Sequence, residues 1–268
     1  MAQHTNGRGP ELGTDPFNIT GRLALVTGSS RGLGLALASG LAKAGATVVL
    51  HGRDPGTLDR ASERLSRLTG GAPAPTVSFD ITDVESTQAG IASVITEHGV
   101  PDILVNNAGV QRRAPFNEFD PVDWDTVIAT NLSSAFYVSQ PITRAMAQRG
   151  SGKVINIGSV QSLLGRQTIA PYTASKGGLA MLTKGMAADL ARFNIQVNAI
   201  SPGYFKTEMN AALVADDDFN AWVLARTPAQ RWGLPEELVG TLVYLASDAS
   251  RFVSGQNIFV DGGMTAVV

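Results

Sequence analysis

Short apolar runs alternate with amphipathic stretches along most of the chain. The runs are rich in Val, Ile and Leu without polar alternation, which is typical of strands buried on both faces of a sheet. Between them, apolar residues recur every three or four positions, as in the stripe of Leu33, Leu37 and Leu41, and this spacing predicts helices. Seven strands are predicted from the pattern, at residues 23–27, 47–51, 76–79, 103–106, 153–157, 196–200 and 257–260.

The alternation of strand and helix predicts the fold class. It indicates an α/β protein with a doubly wound Rossmann fold, whose seven-stranded, mostly parallel sheet is flanked by helices. The sequence shows no internal repeat and no linker, so residues 19–268 are predicted to be a single domain. Residues 1–18 are polar and rich in Gly, Pro, Thr and Asn, and we expect them to form a flexible leader.

A glycine-rich turn follows the first predicted strand and precedes the first helix. Its sequence, Thr27-Gly-Ser-Ser-Arg-Gly-Leu-Gly34, has the spacing G-x-x-x-G-x-G. Glycines allow a pyrophosphate to approach closely, and the N-terminus of the helix supplies free N–H donors and a positive dipole end. The turn is therefore predicted to bind the phosphates of a dinucleotide through Gly28, Ser30, Arg31, Gly32, Leu33 and Gly34.

The same turn also fits a motif from a different reaction class. Gly28-x-Ser30-x-Gly32 matches the G-x-S-x-G elbow that carries the nucleophile of serine hydrolases. That chemistry requires a histidine late in the chain, but no histidine follows His98. A serine hydrolase is therefore kept as a remote alternative.

The end of the second strand bears on which dinucleotide is bound. An NAD site has a carboxylate here for the ribose 2′-hydroxyl, whereas an arginine suits the 2′-phosphate of NADP. Gly52 stands where the acid is expected and Arg53 follows it, so NADP(H) is predicted to be preferred, with NAD(H) as the alternative cofactor. Arg31 could face the same phosphate. Asp54 precedes Pro55, and we expect it to cap the next helix.

Two further strand ends are predicted to contact the cofactor, because ligands of doubly wound sheets bind outside the carboxyl ends of the strands. Asp80 and Ile81 follow the third strand, and Asp80 either accepts a hydrogen bond from the adenine amino group or caps a turn. The motif Asn-Asn-Ala-Gly at 106–109 ends the fourth strand, where small residues would let the cofactor ribose lie close. The predicted contacts in this motif are Asn107, Ala108 and Gly109.

Tyr172 and Lys176 are the strongest candidates for the chemistry. Four residues apart on a predicted helix, they lie on one face with Cβ atoms about 5–6 Å apart. A phenol with a pKa of ~10 is a poor acid–base group at neutral pH, but a nearby ammonium favours the phenolate. At ~4 Å and an effective dielectric constant of ~20 the attraction is about 4 kcal/mol. This is enough to lower the pKa by about two to three units, so we expect Tyr172 to act as a general acid–base.

Composition excludes several classes of function. The chain of 268 residues is 44% hydrophobic and has a net charge of -2, so no basic surface for nucleic acid is predicted. Cysteine is absent, which excludes disulfides and thiolate chemistry, and the three histidines are too scattered in sequence to predict a metal site. No apolar run approaches the ~20 residues of a membrane span and no secretory signal is present, so we expect a cytoplasmic protein.

Together these motifs resemble those of the classical short-chain dehydrogenase/reductase family. They come in the order of that family: the glycine turn, Asp80, the 106–109 motif, Asn131, Ser159, Tyr172 with Lys176, and Ser201-Pro-Gly203. The resemblance implies a nicotinamide-dependent enzyme that interconverts a secondary alcohol and a ketone, in which the cofactor does the hydride chemistry. It also implies a homotetramer built on the helices around 120–150 and 172–193 and on the C-terminal strand.

The resemblance also implies a role for each matching residue. Tyr172 would exchange a proton with the substrate oxygen, and Ser159 would hydrogen-bond the same oxygen. Lys176 would lower the pKa of Tyr172 and hold the nicotinamide ribose, and Asn131 would hold a water that passes protons to Lys176. The nicotinamide carboxamide and the pyrophosphate would lie against Pro202, Gly203, Phe205 and Thr207.

Within the family, the chain is similar to the gluconate 5-dehydrogenase branch, which interconverts D-gluconate and 5-keto-D-gluconate. The similar segments are Gln111-Arg-Arg113, Gln161-Ser162, Gly165-Arg166, 203–209 and 226–233. An arginine suits the carboxylate of such a substrate because its planar fork donates two parallel hydrogen bonds. One of Arg112 and Arg113 is expected to face solvent, and Arg112 is preferred for the substrate. The predicted substrate contacts are Arg112, Arg113, Ser159, Gln161, Arg166 and Tyr172.

Two other functions stay open beside the hydrolase. The family scaffold also serves reductases of other ketones, such as a 3-oxoacyl thioester or another sugar, because a fold does not fix a substrate. A non-enzymatic nucleotide sensor is the other alternative. Such a sensor would not need the intact set of Ser159, Tyr172 and Lys176, which argues against it.

Overall fold

The computed structural model describes residues 15–207 and 210–268. Most of the predicted leader therefore lies outside the described residues, as do residues 208–209 from one of the branch motifs. The described end of the leader contacts the folded chain, since the carbonyl of Pro16 accepts a hydrogen bond of 2.8 Å from the backbone N of Ala249.

In the described part of the chain, seven strands form one sheet. They are β1 Leu23–Val26, β2 Thr47–Gly52, β3 Thr76–Ser78, β4 Ile103–Asn106, β5 Gly152–Ile157, β6 Ile195–Pro202 and β7 Asn257–Val260. The order across the sheet is β3-β2-β1-β4-β5-β6-β7, and every neighbouring pair is parallel. The seven predicted strands are confirmed to within about two residues at each end, and the sheet is all parallel rather than mostly parallel.

Helices connect the strands. They are α1 Gly32–Lys43, α2 Pro55–Thr69, α3 Val84–His98, α4 Pro121–Ile128, α5 Ser134–Arg149, α6 Ala170–Leu190, α7 Ala211–Val214, α8 Asp217–Arg226 and α9 Val239–Ala246. A π-helical turn, Ala129–Ser133, joins α4 to α5. No helix in the described ranges is both long and apolar enough to cross a membrane.

Both faces of the sheet are covered by helices. On one face, α1, α2 and α9 contribute buried residues such as Leu37 and Leu58 to a core cluster. On the other face, α3, α5 and α6 contribute residues such as Ile91 and Ile142 to a second cluster. Each fully buried Leu or Ile contributes about 1.5–3 kcal/mol of hydrophobic stabilisation. This double burial explains why the strands read as unbroken apolar runs in the sequence.

The strand order creates a crevice beside β1. From β1 the chain passes through β2 to β3 on one side of the sheet and then crosses to β4 on the other side. Ligands of doubly wound sheets bind at such a switch point, outside the carboxyl ends of the strands. The glycine turn, the 106–109 motif and Ser159 all leave the sheet at this edge.

Candidate active site

The glycine turn is fixed by close packing where it leaves β1. Gly28 has a positive φ of 62°, and a Cβ on it would lie 2.9 Å from the Cα of Ala108. A Cβ on Gly34 would collide with the carbonyl of Gly28. The helix α1 begins at Gly32, and no side chain of the described chain caps its N-terminus. Its first N–H groups are therefore available to an anion, which fits the predicted pyrophosphate.

The 106–109 motif holds this turn in place. Oγ1 of Thr27 accepts hydrogen bonds from the backbone N of Asn107 at 3.0 Å and of Ala108 at 3.1 Å. The side chain of Asn107 donates to the carbonyls of Thr27 at 2.9 Å and Gly28 at 3.2 Å. Asn107 thus lies where the cofactor contact was predicted, but its side chain supports the turn.

Gly52 brings the end of β2 against the glycine turn. A Cβ at Gly52 would lie 3.3 Å from Oγ of Ser30, so an acidic side chain there would crowd the turn. Asp54 caps α2, as predicted. Arg31 and Arg53 are exposed, and neither forms a salt bridge with another described residue. This corner therefore presents two cationic side chains, which suits the 2′-phosphate of NADP.

Asp80 caps a turn at the end of β3. Its Oδ1 accepts hydrogen bonds from the backbone N of Thr82 at 2.9 Å and from the hydroxyl of Thr82 at 2.7 Å. These bonds hold the pKa of Asp80 below its ordinary value. Since an ionised carboxylate has a second accepting oxygen, a bond to the adenine amino group stays a prediction.

The predicted nicotinamide segment continues from β6. The backbone N of Gly203 donates to the carbonyl of Val260 at 3.0 Å, and a Cβ on Gly203 would lie 2.8 Å from the Cα of Asp261. Pro202 ends β6, Phe205 is buried, and Thr207 is the last residue described before 208–209. The close contact with Asp261 explains the need for glycine at position 203.

Ser159, Tyr172 and Lys176 come together beyond the end of β5. Ser159 is the second residue after β5, and Tyr172 and Lys176 stand one turn apart in α6. A hydrogen bond joins the side chains of Ser159 and Tyr172. Lys176 is buried; its Nζ donates to the carbonyl of Ile157 at 2.7 Å and lies 5.6 Å from the centre of the Tyr172 ring. The structure therefore assembles the predicted catalytic group.

The pKa of Tyr172 moves in the direction opposite to the one expected from the sequence. Burial of the phenol raises its pKa, and the Ser159 hydrogen bond and the Arg166 charge only partly oppose this. Burial lowers the pKa of Lys176 to about 8. The expected depression of the Tyr172 pKa by Lys176 is absent because the ammonium is directed at the Ile157 carbonyl and because desolvation disfavours a phenolate.

Asn131 lies in the π-helical turn and clamps the loop after β4. Its Oδ1 accepts from the backbone N of Val110 at 2.8 Å, and its Nδ2 donates to the carbonyl of Val110 at 2.9 Å. The same Nδ2 lies 3.2 Å from Oγ of Ser175 in α6. The side chain thus ties the residue that follows the 106–109 motif to the helix of Tyr172 and Lys176. Its part in a water relay stays a prediction.

Two predicted arginines interact electrostatically with each other, and one of them also acts on Tyr172. Arg113 is exposed, but partial shielding of its guanidinium from solvent and the charge of Arg166 both lower its pKa. Nη1 of Arg166 donates to the hydroxyl of Tyr204 at 3.5 Å, and Arg166 and Tyr204 both act electrostatically on Tyr172. Neither arginine forms a salt bridge within residues 15–207 and 210–268. Two like charges therefore act on each other near Tyr172.

Arg112 is arranged differently from its neighbour. Both residues are exposed, but Nε of Arg112 lies 3.1 Å from Oδ1 of Asp123, with which it forms a salt bridge. The preference for Arg112 as the substrate residue stays a prediction, but its salt bridge with Asp123 makes Arg113 the residue that we carry into the proposed function. The physical reason is the position of Asp123 near the start of α4, which engages Arg112 at the surface.

Gln161 offers a buried acceptor close to Ser159. Its backbone N donates to Oγ of Ser159 at 3.2 Å. Its side-chain Oε1 is buried and has no hydrogen-bond partner among the described residues. Leaving such an atom unsatisfied costs about 1–3 kcal/mol. A ligand hydroxyl that donates to Oε1 would recover this free energy, so Gln161 fits its predicted place in a substrate site.

An aromatic cluster beside Arg166 was not predicted from the sequence. Tyr204 makes edge-to-face contacts with Phe219, Trp222 and Trp232, with ring centres 5.6–5.7 Å apart. The guanidinium of Arg166 lies 5.2 Å from the centre of the Phe219 ring. The available signal was the concentration of aromatic residues in the segment that follows β6. The cluster packs α8 against Arg166.

Comparison with known proteins agrees with this geometry. The family model for enoyl-(acyl carrier protein) reductase matches residues 28–265. The gluconate 5-dehydrogenase of Gluconobacter oxydans (strain 621H) is 52% identical over 251 residues, which cover 94% of this chain and 97% of that protein. The 5-keto-D-gluconate 5-reductase of Escherichia coli (strain K12) is 50% identical over 254 residues, covering 95% of this chain and 99% of the relative.

A solved structure is also similar. The gluconate 5-dehydrogenase of Burkholderia cenocepacia J2315, solved in complex with NADP and tartrate, superposes with a TM-score of 0.91. It is 50% identical to this chain, and the match covers 95% of this chain and 99% of the solved one. With the glycine turn, the catalytic group and the all-parallel sheet in the same order, the chain belongs to the short-chain dehydrogenase/reductase family.

Proposed function

We propose that the chain is an NADP(H)-dependent oxidoreductase that interconverts D-gluconate and 5-keto-D-gluconate. The observation that carries the proposal is the pair of Arg113 and Arg166, which act electrostatically on each other and, through Arg166, on Tyr172, and which have no salt-bridge partner in the described chain. A sugar acid supplies the carboxylate that this pair lacks. Two relatives at 50–52% identity are named for the same interconversion.

The electrostatics of Tyr172 suit reduction of a ketone. NADPH, when bound on the glycine turn, supplies a hydride to the ketone carbon. Ser159 and Tyr172 hydrogen-bond the ketone oxygen, and the raised pKa keeps the phenol protonated at neutral pH. As the new C–H bond forms, the Tyr172 O–H bond breaks and its proton passes to the substrate oxygen, which completes the alcohol.

The arginine pair orients the substrate. In a C6 sugar acid the carboxylate is at one end and the reacting C5 is near the other, so the charge must be held away from Tyr172. Arg113 and Arg166 supply planar forks for this carboxylate, and Oε1 of Gln161 accepts from a hydroxyl between the two ends. A 3-oxoacyl thioester has no such carboxylate, so the charge pair favours the sugar acid over that alternative.

The cofactor proposal rests on the corner formed by Ser30, Gly52 and Arg53. The tight approach of Gly52 to Ser30 leaves little room for the acid that would bind an NAD ribose. Arg31 and Arg53 are exposed there and suit a 2′-phosphate. The solved relative from Burkholderia cenocepacia J2315 is in complex with NADP, which supports the same preference.

The hydrolase alternative lacks a base near Ser30. His51 is the histidine that contacts the turn, but its Nδ1 accepts from the backbone N of Gly28 and its Nε2 faces the carbonyl of Phe79, both at 3.1 Å. Neither ring nitrogen is left to take a proton from a serine. The elbow match is therefore set aside.

We also propose that the protein is a cytoplasmic homotetramer. Large apolar side chains are exposed on α4, α5 and α6, including Val122, Phe136 and Met181. Exposed apolar residues on adjacent helices favour burial against another subunit. Light scattering tests this part: a mass near that of one 28.0 kDa chain would contradict the tetramer.

A kinetic panel tests the proposed activity. Oxidation of NADPH and NADH is followed by nicotinamide absorbance with 5-keto-D-gluconate, other keto sugar acids, uncharged keto sugars and a 3-oxoacyl thioester. We expect the highest kcat/KM with 5-keto-D-gluconate and NADPH. Absence of turnover with every sugar acid, or a higher kcat/KM with the thioester, would refute the proposal.

A further inference from the structure

His51 is a buried histidine at the end of β2 that the proposed chemistry does not use. Its Nδ1 accepts from the backbone N of Gly28 at 3.1 Å, and its Nε2 lies 3.1 Å from the carbonyl O of Phe79. Its backbone N donates to Oγ of Ser29 at 2.9 Å, and its carbonyl accepts from the backbone N of Ser29 at 2.9 Å. One residue thus ties the glycine turn to the ends of β2 and β3.

These contacts fix which nitrogen of His51 carries the proton. The N–H of Gly28 is a donor, so Nδ1 must be unprotonated, and the carbonyl of Phe79 is an acceptor, so Nε2 must carry the proton. Burial lowers the pKa of His51 to about 4, although the Phe79 carbonyl and the charge of Asp80 act in the opposite direction. The ring is therefore neutral, in the Nε2–H form, at physiological pH.

We infer that His51 is a positioning residue for the cofactor, whose Nδ1 holds the Gly28 amide and hence the glycine turn in the conformation that receives the pyrophosphate. Gly28 is the point where the turn is most constrained, because it combines a positive φ with close contact to Ala108. Without an acceptor, its partly buried amide would rotate or recruit water, and the following N–H groups would move with it. The inference rests on the proposed binding of NADP(H) at this turn.

Two substitutions separate the two ring contacts. In His51→Asn the short side chain places a carbonyl oxygen near the position of Nδ1, so the acceptor for Gly28 is kept. In His51→Gln the longer side chain reaches the Phe79 carbonyl with its amide N–H but leaves the Gly28 amide without an acceptor. The glutamine side chain is polar and similar in size to histidine. Weaker NADP⁺ binding by this variant would therefore not result from a cavity.

Calorimetric titration with NADP⁺ at neutral pH measures the consequence. We expect His51→Asn to bind NADP⁺ within about threefold of wild type and His51→Gln to bind about tenfold more weakly, as for loss of one hydrogen bond. The KM for NADPH should rise in the glutamine variant with little change in kcat, because the catalytic group is not altered. A general loss of structure would instead lower kcat together with the affinity for NADP⁺.

The tautomer gives a second readout on the wild-type chain. The sequence contains three histidines, His4, His51 and His98, so a sample labelled with ¹⁵N-histidine gives few ring signals to assign. We expect the signal of an Nε2–H tautomer for His51 and a shift of its Nδ1 resonance when NADP⁺ is added.

The outcomes distinguish this inference from the proposed function. Equal NADP⁺ affinities of the two variants, or an Nδ1–H tautomer of His51, would overturn the inference while NADP⁺ binding by the wild type still supports the function. No NADP⁺ binding by the wild type would overturn both. If the glutamine variant does not fold, the wild-type tautomer and its response to NADP⁺ decide the inference.

Discussion

Replacing Arg113 with leucine removes one of the two guanidinium groups proposed to hold the substrate carboxylate. The charge of Arg166 lowers the pKa of Arg113, so the pair repels, and the substitution relieves that repulsion in the free protein. In the substrate complex, a hydrogen bond between charged groups is lost, which is worth ~1.5–3 kcal/mol. Because 1.4 kcal/mol corresponds to a factor of ten, kcat/KM for 5-keto-D-gluconate should fall about 10- to 140-fold.

The neighbouring residue provides the control for this measurement. Arg112→Leu removes the same charge from the same loop, but Arg112 is engaged with Asp123 at the surface. Its kcat/KM should stay within about twofold of wild type, since an exposed ion pair contributes only ~0–1 kcal/mol. Initial rates of NADPH oxidation are compared for 5-keto-D-gluconate and for an uncharged keto sugar of similar size. Orientation energy is lost from kcat as well as KM, so both parameters are measured.

The ratio of kcat/KM for 5-keto-D-gluconate to kcat/KM for the uncharged keto sugar decides the test. Arg113→Leu should reduce activity on the acid far more than on the uncharged ketone, and its melting temperature should not fall. Equal losses on both substrates would refute the carboxylate contact of Arg113. A larger effect from Arg112→Leu than from Arg113→Leu would instead support Arg112 as the residue that binds the substrate carboxylate, as preferred from the sequence.

Three further substitutions test the proton donor, the cofactor corner and a buried charge. Tyr172→Phe should lower kcat by ~10²–10⁴-fold while calorimetry shows NADP⁺ binding retained; more than half of the wild-type turnover would exclude Tyr172 as the donor. Arg53→Ala should erase most of the preference for NADP(H) over NAD(H) in binding titrations, and a preference that persists would place the 2′-phosphate elsewhere. Burial lowers the pKa of Lys153 from 10.5 to about 8, so the unfolded chain binds more protons in this range and stability rises with pH between these values. Lys153→Met should remove part of that rise and stabilise the protein at neutral pH by up to about 3 kcal/mol in urea unfolding; an unchanged pH dependence would contradict this.

Features that depend on local spacing could be predicted from the sequence. The unbroken apolar runs gave the strands, and the all-parallel sheet follows from their alternation with helices. Ser159 lies just after the end of β5, and Tyr172 and Lys176 lie one turn apart in α6. Both positions depend on local structure, which the sequence pattern predicts. Asp54 could be predicted as a cap because its bond reaches only three residues along the chain.

Features that depend on three-dimensional surroundings could not be predicted. The pKa of Tyr172 is set by burial and by the direction of the Lys176 ammonium, neither of which follows from a four-residue spacing. The salt bridge of Arg112 depends on Asp123, eleven residues further on. The contact of His51 with Gly28 depends on the register between β1 and β2, which sequence periodicity does not fix.

Arg166 connects substrate binding with the proton donor in the proposed site. Its charge lowers the pKa of Tyr172, against the larger opposite effect of burial. A substrate carboxylate that pairs with Arg166 would neutralise this charge and so remove the lowering effect. We infer that an acidic substrate keeps Tyr172 protonated more firmly than an uncharged one does, and that carboxylate recognition therefore also favours the acid form needed for ketone reduction. The alkaline limb of the pH–rate profile should then lie at higher pH for 5-keto-D-gluconate than for an uncharged ketone. Coincident profiles would show that carboxylate binding does not affect the protonation of Tyr172.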